Sequence, residues 1–78
     1  MDSQNLKNIV EAALLAAASP VTVDKLRALF GDQDQPEKQE VRAVLQSLKE
    51  DYEGRGIELR EVASGFRIQV RDEMSPWL

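Results

Sequence analysis

The chain has 78 residues, with 14 acidic and 10 basic side chains and neither cysteine nor histidine. A chain this short holds one modest core, and the missing residues exclude a disulfide framework, a thiolate site, the commonest transition-metal ligands and the usual neutral-pH base. A net charge of −4 disfavours generic nucleic-acid binding, which needs a basic surface.

The first predicted element is a helix. Leu6, Ile9, Val10, Ala13, Leu14 and Ala17 form one apolar stripe at 3.6-residue periodicity. Ser3 or Asn5 is placed to cap its start, and Ser19-Pro20 ends it, because the residue before proline is pushed out of the α region. Val21 reads as a short extended piece. Thr22 then caps a second, shorter helix, with Asp24 in its first turn and Val23, Leu26, Leu29 and Phe30 on its apolar side. Gly31 suits a left-handed position after that helix, and the polar stretch Gly31 to Gln35 reads as a loop.

Pro36 fits the first position of a third helix, capped by Asp34 or Gln35. Its stripe is Val41, Val44, Leu45, Leu48 and Tyr52, and Gly54 and Gly56 bracket its end. Past Gly56 the pattern alternates. Ile57 and Leu59, then Phe66, Ile68 and Val70, interleave with Glu58, Arg60, Arg67, Gln69 and Arg71. Ser64-Gly65 between the two runs signals a hairpin turn. A two-residue turn there sets Ala63 against Phe66, Leu59 against Val70 and Glu58 against Arg71. It also puts Glu61 on the apolar side and Val62 on the polar side, a conflict that a bulge or a longer loop would relieve. Three helices followed by a hairpin is the order of an α+β winged helix-turn-helix, with a two-stranded β-hairpin as the wing. The winged-helix domain is placed at residues 1–73, and residues 74–78 read as the start of a linker toward an absent second domain.

Little here can carry catalysis. Glu40, Glu50, Asp51 and Glu53 belong to a helix whose apolar face is already assigned, and they read as a solvated face. Asp32, Asp34 and Glu37 lack the spacing of a calcium loop, and the glycines are isolated or sit in turns. No enzyme, cofactor or small-molecule substrate is expected. The longest apolar run, Ala12 to Ala18, falls far short of the ~20 residues that span a bilayer. A cytoplasmic domain without membrane contact follows as the expectation.

The third helix, from Glu37 to Glu53, carries five acids against Lys38, Arg42 and Lys49, which disfavours reading of base edges. The hairpin is more positive. Arg60, Arg67 and Arg71 are its candidates for a weak, salt-sensitive contact with a DNA backbone. On the first helix, Leu15 falls about opposite the core stripe at 100° per residue, among Gln4, Asn8, Glu11 and Ala18. A large apolar side chain beside small ones permits close approach of another helix. Asn8, Glu11, Leu15 and Ala18 are therefore the candidate protein interface. Trp77 joins them, because a chain ending on Trp77-Leu78 either packs these residues against something or was cut from a longer protein.

With these elements in place, the chain resembles the N-terminal winged-helix domain of the segregation and condensation protein B (ScpB) family, accessory subunits of the bacterial SMC–kleisin chromosome complex. The resemblance covers nearly the full length. It rests on Leu6-Lys7-Asn8-Ile9-Val10-Glu11-Ala12, Ser19-Pro20-Val21-Thr22, and Leu45-Gln46-Ser47-Leu48 through Tyr52. Its most specific part is the ordered series Arg55-Gly56-Ile57-Glu58-Leu59 and Val62-Ala63-Ser64-Gly65-Phe66-Arg67, followed by Pro76-Trp77. It implies a nucleoid-associated, non-enzymatic subunit that forms a homodimer and binds the kleisin ScpA, and through it SMC. The alternative is a DNA-binding winged-helix transcriptional regulator.

Overall fold

A computed structural model describes every residue except Gln33. Among the described residues the order is α1 (Ser3–Ala16), α2 (Val23–Ala28), α3 (Lys38–Asp51), β1 (Ile57–Val62), β2 (Gly65–Val70) and a 3-10 helix (Asp72–Trp77). This is the α+β order expected from the change of periodicity at Gly56.

The caps sit one or two residues away from several expected positions. Asp2, not Ser3 or Asn5, caps α1, its carboxylate accepting from the Asn5 N–H at 2.7 Å. The helix closes at Ala16, with Ala17 already extended and exposed. Ala17 therefore leaves the core stripe, because the chain must straighten before Pro20 to deliver Val21 to the sheet. Thr22 caps α2 as expected, its Oγ1 accepting from the Lys25 N–H at 3.1 Å. Leu29 is 57% exposed rather than core. The last turn of α2 tightens there, with Leu29 N–H bonded to Leu26 O and Phe30 N–H to Arg27 O, which rotates Leu29 outward and leaves Phe30 against the core. Pro36 is buried two residues ahead of α3, and Glu37 is the N-cap in place of Asp34 or Gln35. The Glu40 carboxylate reaches back to the Glu37 N–H at 3.1 Å, satisfying an otherwise orphaned donor. Gly31 has φ +70° as expected, and Gln33 of that loop lies outside the described residues.

The stripes of α1 and α3 meet to make the core. Leu6, Val10 and Leu14 pack with Val23 and Leu26 of α2, with Val41, Val44, Leu45, Leu48 and Tyr52, and with Leu59 of the hairpin. Val10, Leu26, Val41 and Leu48 are fully enclosed. Contacts advance in step along α1 and α3: Lys7 meets Ser47 and Asp51, and Glu11 meets Tyr52. The two helices thus run side by side in the same direction.

In the hairpin the turn is Ala63-Ser64, one residue earlier than expected. Val62 pairs with Gly65, Leu59 with Ile68 and Ile57 with Val70. The shift follows from Val21. Its N–H and C=O bond to Phe66 O and N at 2.9 and 2.8 Å, a one-residue third strand. Gly65 must lie directly over that segment, where a Cβ would come within 2.5 Å of the Val21 carbonyl, and its φ is +132°. Only glycine meets both demands. The strands pair without a bulge, so Glu61 keeps the side shared with Leu59 and Phe66. It is tolerated because this end of β1 projects past the core into an open cleft.

Candidate interaction surfaces

Along α1 the outward face is apolar and small. Leu15 is 64% exposed, and Ala12, Ala16 and Ala18 are exposed around it. Asn8, two turns earlier, is exposed and accepts from Gln4 Nε2 at 2.9 Å. Glu11 sits differently from its expected place beside Leu15. It is half-buried and accepts a hydrogen bond from the Tyr52 hydroxyl across the seam between α1 and α3. Burial first, and then this bond to a carboxylate, push the Tyr52 hydroxyl well above its ordinary range. One signal was available in the chain: a tyrosine on a core stripe needs a partner for its hydroxyl.

Two more charges lie on that seam. Lys7 Nζ is 2.5 Å from Asp51 Oδ2 and donates to Ser47 Oγ at 2.8 Å. Trp77 ends the 3-10 helix at 77% exposure, with Leu78 at 83%, so neither packs back on the domain. Met74, earlier in the same turn, does approach Gly56, where a Cβ would meet its sulfur at 3.2 Å.

The three expected hairpin arginines separate into two kinds. Arg60 and Arg67 are exposed and directly opposite each other across the strands. Among the described residues no carboxylate lies within 4.0 Å of either. Like charges in direct opposition are unfavourable in a hairpin. Arg71, in contrast, is drawn inward. Its Nε donates to Arg55 O at 2.9 Å, its Nη2 to Tyr52 O at 3.0 Å, and its Nη1 lies 3.6 Å from Glu58. It ties the end of β2 to the C-terminal end of α3, so only Arg60 and Arg67 remain together for an outside partner.

A third surface went unmarked in the sequence. Counting acids along α3 obscures how its charges divide around the helix. Lys38, Arg42 and Lys49 fall within about 40° of one another at 100° per residue, on the side that faces the hairpin. Lys38 is 3.6 Å from Asp24. Arg42 and Lys49 have no ion-pair partner within 4.0 Å among the described residues. They border a cleft of about 230 Å³ with Glu61 on the far wall and Leu45, Leu59 and Phe66 at its base. A second cleft of the same size continues past Arg42, Glu61 and Phe66 toward Thr22 and Ala63. The spacing i, i+4, i+11 was the readable signal. What it bordered depended on where the hairpin folds.

The model of the family "Segregation and condensation complex subunit ScpB" matches residues 8–78. The chain is 47% identical over its whole length to a segregation and condensation protein B homolog of Coxiella burnetii, and spans 37% of that protein. It is 40% identical to segregation and condensation protein B of Syntrophotalea carbinolica, again along all of this chain and 39% of the relative. The chain thus spans less than half the length of these curated relatives. Among solved structures, ScpB from Mycobacterium tuberculosis superposes with a TM-score of 0.85 at 35% identity, covering 99% of this chain and 47% of that one. A dimer of an ScpB N-terminal domain complexed with an ScpA peptide superposes at 0.82 and 30% identity, covering 95% of this chain and 90% of that one.

Proposed function

Because the chain belongs to the ScpB family of segregation and condensation complex subunits, we propose that it is the dimerising N-terminal module of such a subunit and helps to hold the kleisin ScpA. Its work is non-enzymatic: it joins partners in the chromosome complex built on SMC, in the cytoplasm at the nucleoid. The observation that carries this reading is the near full-length likeness to an ScpB N-terminal domain seen as a dimer with an ScpA peptide. The outward face of α1 supports it, since Leu15 among exposed alanines can bury against a second copy. In this reading Asn8, Leu15 and Ala18 form the contact, and Trp77 lies against the partner or the next domain. Glu11 contributes by holding Tyr52 rather than by touching the second copy.

Sedimentation velocity over a concentration series tests the dimer. The chain is expected to pass from monomer to dimer, and Leu15→Glu to stay monomeric with an unchanged circular dichroism spectrum. A strict monomer at high concentration, or a Leu15→Glu protein that dimerises normally, counts against the α1 interface. Co-purification of ScpA with the full-length subunit tests the kleisin reading. A second reading rests on Arg60 and Arg67, adjacent across the strands and without an ion-pair partner among the described residues, which suits a DNA backbone. Gel shifts across a salt series separate the two: weak binding lost with salt fits an accessory contact, whereas tight, sequence-specific binding at physiological salt would make the domain a regulator.

A further inference from the structure

We infer that the cleft between α3 and the hairpin is a docking trough for an extended partner segment whose side chains alternate between acidic and apolar. Its base is apolar, formed by Phe66 above the buried Leu45 and Leu59. Its helical wall presents Arg42 and Lys49, both exposed and both without an ion-pair partner among the described residues. Glu61 is the one carboxylate on the lining of this first cleft, and Asp24 in the continuation is paired with Lys38 at 3.6 Å, so the trough is net positive on a chain whose net charge is −4. That local reversal of sign is what selects an anionic occupant.

The shape selects a peptide over a compact ligand. The first cleft and its continuation share Arg42, Glu61 and Phe66 and form one trough running from Lys49 toward Thr22 and Ala63. An extended segment turns successive side chains to opposite sides. Its apolar side chains would rest on Phe66 while its carboxylates reach Arg42 and Lys49. Arginine is suited to the stronger contact, because its planar fork can bind a carboxylate in two places. Glu61 works against this occupant and limits its affinity. The identity of the partner rests on the kleisin reading above; the chemistry of the trough does not.

Fluorescence anisotropy tests it with two labelled probes, a peptide alternating leucine and glutamate and its leucine–lysine counterpart. The glutamate probe is expected to bind, more weakly as salt rises. Arg42→Glu is expected to weaken it by about tenfold, the scale of one charge-assisted contact, and Lys49→Glu by somewhat less. Glu61→Gln should tighten it, and Arg60→Glu, on the opposite face of the hairpin, should leave it unchanged. Preference for the lysine probe, tighter binding after Arg42→Glu, or displacement of the probe by duplex DNA but not by peptide would overturn the proposal. ScpA is then added as a competitor, with co-purification run in parallel. If ScpA co-purifies but does not displace the probe, the kleisin reading stands and the trough as its docking site falls. If ScpA fails to co-purify, that reading falls while the probe results still decide the chemistry of the trough.

Discussion

Helix α3 has two long flanks, and they treat charge in opposite ways. On the seam with α1, every charged or polar group with a part to play has a partner within the domain: Lys7 with Asp51 and Ser47, and Glu11 with Tyr52. On the cleft with the hairpin, Arg42, Lys49 and Glu61 face one another across open space without pairing. The seam lies between two apolar stripes that close on each other, and a charge trapped at its edge is costly unless it is satisfied. The cleft stays in contact with water, so its charges are stable without partners and available to a second molecule. The same contrast divides the arginines of the hairpin, with Arg71 tied into backbone carbonyls and Arg60 and Arg67 without an ion-pair partner among the described residues.

Substitutions on the two flanks should therefore separate stability from binding. The largest effect is expected at the apolar centre of the seam. Leu48 is 1% exposed, and Leu48→Ala should lower stability by about 2–5 kcal/mol in urea unfolding. A loss under ~1 kcal/mol would mean that the stripes do not close as described.

At the polar edge of the seam, Tyr52→Phe removes one hydrogen bond and should cost about 0.5–1.5 kcal/mol near neutral pH. The sign of its pH dependence is set by the raised ionisation of Tyr52 in the folded state. The unfolded chain ionises this group near pH ~10, while the folded chain still holds the proton. Its contribution is therefore fully present below about pH 10 and is lost progressively as pH rises above it. Urea midpoints of the two proteins should converge on going from about pH 8 to about pH 11. A gap that widens with pH would contradict the Glu11–Tyr52 bond.

On the cleft flank, Arg42→Glu should change stability by no more than about 0.5 kcal/mol. The same variant carries the largest expected loss of binding to the glutamate probe. A large destabilisation would show that Arg42 belongs to the fold rather than to a partner.

Most of the fold was legible because it depends on local patterning. The stripe from Val41 to Tyr52 is buried throughout, Thr22 caps α2, and the strands begin where periodicity changes from 3.6 to 2. The misplacements share a cause. Leu29 turned outward, Pro36 stayed ahead of α3, and the hairpin turn moved from Ser64-Gly65 to Ala63-Ser64. In each case a contact distant in sequence, or a tightened helix end, overrode the local preference. The hairpin is the clearest example: Gly65 reads as a turn residue, yet its place is set by the backbone of Val21, far earlier in the chain.

The surfaces divide along the same line. Leu15 stood out from helical geometry alone, because exposure on one helix depends on angle and needs no knowledge of neighbours. The ordered series around Gly56 and Gly65 likewise carried the resemblance to the family without coordinates. The fates of Glu11, Arg71 and Arg42 could not be read in that way. Each sits at a position that allows either solvent or a partner, and what it meets (Tyr52, Tyr52 O and, across an open cleft, Glu61) arrives from elements many residues away. Residue order determined which side chains face inward, because periodicity is a property of a single element. Tertiary structure decided which charges are satisfied, because a pair exists only where two elements bring it within a few ångströms.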